Sequence, residues 1–435
     1  EAIRCCRQAA QLKPSDASSH RNLASALRQA GHLDEAAACC RRALELDPAS
    51  VDALLTYGAC LRDLGRLDEA REQLEYGLRV RPDHVASLSS LAIIEHELGK
   101  FVQALETVEH ALKIEPENVE SHVTRSMLWL QSGDLRRGWS EYEWRWRRPA
   151  APRPPFPQPQ WDGSPFQGRT LLLYAEQGLG DVLQFVRYAA LAKQRGGSVW
   201  IMCHRPLVEL LRGCPGVDGV VATGDPLPPC ELQAPLMSLP AIFGTELKTI
   251  PAAIPYLSIS DELAERWRRQ LPLDEGRMRV GIAWQGRTEP PWGPFRAVPL
   301  EIMAQLAAVP GVRLYSLQVG PPRERLATLP ERDAIFDVGR LIDNFSDTAA
   351  IMQSLDLVIS CDSAPLHLAG ALGVPVWAAL RFVPDFRWLL DREDCAWYPT
   401  MRLYRQPAIG DWRSVIERMA FELTRLNRGR IEHNT

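Results

Sequence analysis

The stretch CDSAPLHLAGALG, Cys361 to Gly373, decides the fold. The residues before it, Leu355 to Ser360, read as a short buried strand. After it Leu366, Leu368, Ala369, Ala371 and Leu372 recur at helical spacing. Only Asp362, Ser363 and Ala364 lie between, so a core strand turns straight into a helix. Such a joint brings unpaired backbone N–H groups and the positive end of a helix dipole to one place. Ser363 and Ala364 are small, which lets a phosphate reach those amides. Ser363 can donate to an anion, and Asp362 can accept from a ribose or sugar hydroxyl. The same residues also make an ordinary Asp/Ser cap with no ligand, and local chemistry does not choose between the two. His367, one turn on, is either a packing histidine or a donor-site contact.

Working outward from this joint, strand and helix patterns alternate. Upstream lie helix 347–355, strands 334–339 and 312–317, helix 300–308 and strand 279–284. Downstream lie strand 374–380 and a last helix, 411–426. An earlier cycle holds strand 170–175, an amphipathic helix 181–194, strands 198–203 and 219–224, and helix 261–271. Alternation of this kind implies parallel sheets covered by helices. The two cycles, 169–275 and 276–435, predict two doubly wound domains facing one cleft.

Ligands of doubly wound sheets bind beyond the carboxyl ends of the strands. In the first domain that position is AEQGLGD, Ala175 to Asp181. Gly178 and Gly180 permit a tight turn and close backbone approach, and Asp181 falls at a helix N-terminus. A dinucleotide fingerprint fails here, because its third glycine is replaced by Leu183. An NAD enzyme would also need a ribose-binding acid after the second strand, and SVWIMCHRP offers none. Read on spacing alone, Asp181 is an N-cap.

The first third of the chain is a repeat array. Pro14, Pro48, Pro82 and Pro116 step by 34 residues, as do Gly31, Gly65, Gly99 and Gly133. Ala36, Ala70 and Ala104 keep the same step, and so do Leu33, Leu67, Phe101 and Leu135. That period is the tetratricopeptide one: two helices, a Gly-containing turn and a Pro stop. Residues 1–148 form the predicted array, whose concave face would take a protein or peptide segment or else serve as a spacer. Its last segment, Gly133 to Pro149, carries three Trp and five Arg. Trp139, Tyr142 and Trp146 share one helix face, so a cap on the array explains them better than nucleic-acid stacking does. Residues 149–168 follow as a proline-rich linker that cannot be helical.

The formal net charge of -4 points to no nucleic-acid or anionic-membrane partner. No apolar run approaches the roughly 18 residues of a membrane span. None of the ten cysteines stands in a C-x-x-C pair, so the expectation is buried, reduced thiols in a cytoplasmic protein.

CDSAPLHLAGALGVPVW resembles the D-[ST]-[GA]-x-x-H-x-x-x-A-L-G segment of the heptosyltransferase-like family 9 glycosyltransferases, and EQGLGD resembles their N-terminal G-x-G-D loop. Residues 382–406 are similar to the tail of bacterial proteins that join tetratricopeptide repeats to such a transferase. The resemblance implies a GT-B fold, with the acceptor towards the first α/β half and the nucleotide-sugar donor in the second. It implies inverting, metal-independent transfer to a hydroxyl of a protein or glycan, with no cofactor. Asp181 matches the proposed general base, with Glu176 in reserve. The implied donor site comprises Gly178, Gly180, Asp362, Ser363, Ala364 and His367, with Arg296 and then Arg287 as cations for the diphosphate. The chain departs from relatives in RTEPPWGPFRAVPL, Arg287 to Leu300, where Glu289 and the two prolines after it, Pro290 and Pro291, replace a polar, basic loop. That departure leaves a second reading: a repeat scaffold whose transferase half no longer catalyses.

Overall fold

The computed structural model describes residues 1–149, 153–272, 276–286 and 296–434, the last four as backbone. The chain forms two compact units, Glu1–Arg153 and Pro154–Thr435.

The first unit contains α1 (Ala2–Leu12), α2 (Ala17–Gln29), α3 (Leu33–Leu46), α4 (Val51–Asp63), α5 (Leu67–Val80), α6 (Val85–Glu97), α7 (Phe101–Ile114), α8 (Val119–Gln131) and α9 (Leu135–Tyr142). The glycine series sets the turns. Gly31, Gly65, Gly99 and Gly133 all have positive φ, between 76° and 90°. Each ends a helix in a Schellman motif: the next residue's N–H reaches back to the carbonyl of Leu27, Leu61, Glu95 and Trp129 in turn. Ala36, Ala70 and Ala104 are fully buried where helices cross.

The first helices of successive repeats touch one another: α2 with α4, α4 with α6, α6 with α8. Along that wall runs a ladder of side chains with a fixed step. Arg28 donates to Asp63 at 2.9 Å, Arg62 grips both oxygens of Glu97, and His96 meets Gln131, each pair 35 residues apart. The last segment differs from one continuous helix. After Tyr142 it tightens into a 3₁₀ turn, Glu143–Arg147. Trp139 and Tyr142 are buried in the array.

The second unit holds two parallel sheets. β1 (Thr170–Tyr174), β2 (Ser198–Cys203), β3 (Gly219–Ala222) and β4 (Leu232–Pro235) lie in the order β3-β2-β1-β4. β5 (Met278–Ala283), β6 (Val312–Ser316), β7 (Ile335–Asp337), β8 (Leu357–Cys361), β9 (Val376–Leu380) and β10 (Met401–Arg405) lie in the order β10-β9-β8-β5-β6-β7. The central strands are continuous apolar runs, as burial on both faces requires. The longer helices are α10 (Leu179–Phe185), α11 (Asp261–Gln270), α12 (Phe345–Met352), α13 (Ala364–Ala371) and α14 (Trp412–Asn434). The second unit is thus two parallel-sheet α/β halves held in one compact body.

Three details differ from the sequence expectation. β4 and β10 are additional strands, both at sheet edges. The helix expected over 181–194 starts at Leu179 and breaks into a 3₁₀ turn at Val186–Tyr188. Arg187 explains the break, because its Nε donates to the Gln184 carbonyl at 2.8 Å, which a continuing α-helix would have used. Pro154 onward belongs to the α/β unit. Trp161 and Phe166 are buried there, and the Trp161 amide donates to the carbonyl of Gln233 in β4.

The halves are pinned together. The Asp347 carboxylate on α12 accepts from Arg266 and from the Trp267 indole of α11, both at 2.9 Å. Among the described residues no helix is long and apolar enough to cross a membrane.

Candidate functional site

Two strand-to-helix joints meet where the halves face each other. β1 feeds α10 through Ala175–Gly178, and β8 feeds α13 through Asp362 and Ser363. The starts of the two helices pack directly. A Cβ on Gly180 would lie 2.8 Å from the His367 ring and 3.7 Å from the Ala364 Cα, so glycine is required there for contact between helices. Gly178 has an ordinary extended backbone and caps α10. Asp181 is not the cap. It lies in the first helical turn, and its Oδ2 accepts the Gly178 amide at 2.8 Å. Ser363 caps α13, with its hydroxyl 3.2 Å from the Cys361 carbonyl. Pro365 follows in the first turn and supplies no N–H. The joint therefore presents the Ser363 and Ala364 amides.

Beside these joints lies a cluster of three carboxylates and two guanidinium groups. Arg387 binds Asp181 through Nη2, Asp385 Oδ1 through Nη1 at 2.7 Å and Gln184 Oε1 through Nε at 2.6 Å. Arg296 lies 3.4 Å from Asp385 and 3.9 Å from Asp362. Its Nε is buried and has no partner among the described residues. Burying charges costs several kcal/mol each unless they are paired, and this pairing is what keeps the cluster in place. The environments push two of the acids apart. Burial raises the Asp362 carboxyl above the usual carboxylate range, against the opposing pull of Arg296. Burial would also raise Asp385, but Arg387 and Arg296 outweigh it and hold that group at about 2.

His367 is buried, its Nδ1 3.0 Å from the Tyr398 hydroxyl and its ring stacked on Trp388. Burial, and then the charge of Arg387, hold its pKa well below the ordinary value, so the ring is neutral. Behind it Arg187 is buried without a carboxylate partner among the described residues. It donates to the Trp397 carbonyl at 2.7 Å and to the Tyr256 hydroxyl at 2.8 Å, and it packs on Tyr398.

The structure thus brings together Gly178, Gly180, Asp181, Arg296, Asp362, Ser363, Ala364 and His367. Glu176 sits half-buried in the loop before Gly178. Arg287 and the loop carrying Glu289 lie outside the described residues. Sequence reasoning missed Asp385, Arg387, Trp388 and Tyr398. The signal for the first three is the Asp-x-Arg-Trp of VPDFRW, where Asp385 caps the 3₁₀ turn Phe386–Trp388. Of the cysteines, Cys361 and Cys395 are buried here, whereas Cys5, expected to be buried, is exposed in the first unit. Among the described residues no group of three His, Cys, Asp or Glu side chains is arranged to hold a metal ion.

Family models for the tetratricopeptide repeat match residues 1–51 and 27–92. The first unit is a tetratricopeptide repeat array. A curated relative, Protein FlbA of Caulobacter vibrioides, is 26% identical over 340 residues, which is 69% of this chain and 54% of FlbA. The chain thus spans about half the length of the curated relative it matches. Among solved structures, ADP-heptose lipopolysaccharide heptosyltransferase II of E. coli is 14% identical, with a TM-score of 0.43 over 60% of this chain and 99% of that one. A thermophilic tetratricopeptide protein of Thermus thermophilus is 18% identical, with a TM-score of 0.32 over 34% of this chain and 81% of that one.

Proposed function

We propose that this chain is an inverting glycosyltransferase that moves a sugar from a nucleotide sugar to a hydroxyl, and that its repeats hold a protein or peptide. The observation that carries the reading is the meeting of Asp181, Arg296 and Asp362 with the starts of α10 and α13, where the two sheets face each other.

Each group has a task. The Ser363 and Ala364 amides and Arg296 face the diphosphate and neutralise charge as it develops on the leaving group. Asp362, biased towards its neutral form by burial, hydrogen-bonds a hydroxyl of the ribose or sugar. Asp181 takes the proton of the acceptor hydroxyl as its oxygen attacks the anomeric carbon. The new C–O bond forms on one face. The bond to the phosphate oxygen breaks on the other, its electron pair leaving with the nucleoside diphosphate, so the configuration inverts.

The test offers UDP-, GDP- and ADP-sugars to the full chain and follows nucleoside diphosphate release. Release from one class by the wild type, lost in Asp181→Asn, supports the reading. If no class turns over, or if release survives in Asp181→Asn, the non-catalytic scaffold reading takes its place.

A further inference from the structure

We infer that Arg387 is a positioning residue: it reaches from the second half to the first and sets the direction in which Asp181 offers its carboxylate. The inference deepens the reading above and rests on it.

The two arginines of the cluster are not equivalent. Arg387 spends its donors on three different groups, at 2.6 and 2.7 Å to Gln184 and Asp385 and in close contact with Asp181. Asp181 and Gln184 are three residues apart and therefore lie on one face of α10, so one planar guanidinium reads both. Arg296 has only its long contacts of 3.4 and 3.9 Å and an unpartnered Nε among the described residues. Capacity for an incoming anion lies with Arg296, while Arg387 is committed to Asp181.

The contact fixes a direction as well as a charge. Asp181 Oδ2 holds the Gly178 amide and Oδ1 holds Arg387, so the carboxylate plane is set. Each oxygen keeps a second lone pair for a hydroxyl proton.

The loop that carries Arg387 is itself clamped. Asp385 Oδ1 accepts the Arg387 amide at 3.2 Å, and the guanidinium packs on Phe386 at 4.5 Å. Leu389 and Asp391 are held at positive φ, 54° and 49°. For a leucine that costs on the order of 1–3 kcal/mol, and it persists only where the surroundings over-determine it. Arg405 of β10 supplies the restraint by binding the carbonyls of Trp388, Leu389 and Arg392.

The experiment uses the full-length chain, with Arg387→Ala and Arg387→Lys compared with wild type and Asp362→Ala. Affinities for UDP, GDP and ADP are measured by calorimetry, release from the matching nucleotide sugar by turnover, and folding by circular dichroism. The expected result is a fall in turnover of about 100-fold in Arg387→Ala, with nucleotide affinity close to wild type. Added guanidinium ion, far below denaturing concentration, restores part of the rate to Arg387→Ala and none to Asp181→Ala. If Arg387→Ala is misfolded, Arg387→Lys carries the same split, with lower turnover and unchanged affinity. Wild-type turnover in either folded variant, or a loss that guanidinium does not restore and that takes nucleotide affinity with it, overturns the inference while leaving the donor site standing. A wild type that binds no nucleotide overturns the donor reading, and this inference with it.

Discussion

Arg62–Glu97 in the repeat array and Arg387–Asp181 in the α/β unit are both arginine–carboxylate pairs, yet they are built differently. The first is one rung of a ladder: its partners stand 35 residues apart, and the rung recurs at the 34-residue step of the repeats. The second joins residues 206 apart across two half-domains, and its guanidinium is shared with Asp385 and Gln184. A rung can fail while its neighbours hold, because each repeat leans only on the next. The cleft cluster has no spare copy: removing Arg387 strips Asp181 of its charge partner, and removing Arg296 does the same to Asp362.

The comparison breaks most visibly at Asp181. Asp181→Ala is expected to lower transfer by roughly 10²- to 10⁴-fold. The sequence alone suggests little loss of stability, but the structure changes that expectation, because Arg387, its side chain 7% exposed, would lose one of its two carboxylate partners and keep only Asp385. A loss of about 1–3 kcal/mol is expected, read from urea unfolding. Gly180→Ala comes next. Its new methyl meets the His367 ring at 2.8 Å, so overpacking costs about 1–3 kcal/mol, visible as a lower midpoint of thermal unfolding.

His367 gives a pH-dependent contrast. Its folded-state pKa lies below the unfolded value of about 6.5. The unfolded chain therefore binds the extra proton first, and the stability that the neutral ring contributes is full above about pH 6.5 and lost as pH falls. Each such proton steepens the slope by up to about 1.4 kcal/mol per pH unit, so His367→Gln should unfold with a shallower dependence between about pH 7 and 5. Arg62→Ala should show the smallest effect, about 1 kcal/mol, with unchanged behaviour at the cleft. A larger loss would mean that the ladder acts as a unit.

The same contrast governs what can be read from the sequence. Gly65 announces its left-handed turn because the cause is local and recurs every 34 residues. The two joints are also local, a buried strand running into an apolar helix. Arg387 is not legible in that way. It sits in a short 3₁₀ turn with no period, and its partners are set by how two sheets face each other. β10, MRLYR, hides because two of its five residues are arginines, three apart and so off the strand period, and β4, LQAP, because it is four residues long and ends in proline. Periodicity over 181–194 suggests one helix because it does not reveal that Arg187 turns back onto a helix carbonyl.

The most direct test of the central claim, a nucleotide-sugar site where α13 begins, is calorimetric titration of UDP, GDP, ADP and CMP into wild type, Arg296→Ala and Asp362→Ala. The account predicts that one nucleotide class binds the wild type and weakens in both variants, more in Arg296→Ala for the diphosphate than for the corresponding monophosphate. Absence of binding by any nucleotide, or equal binding in all three proteins, would contradict it.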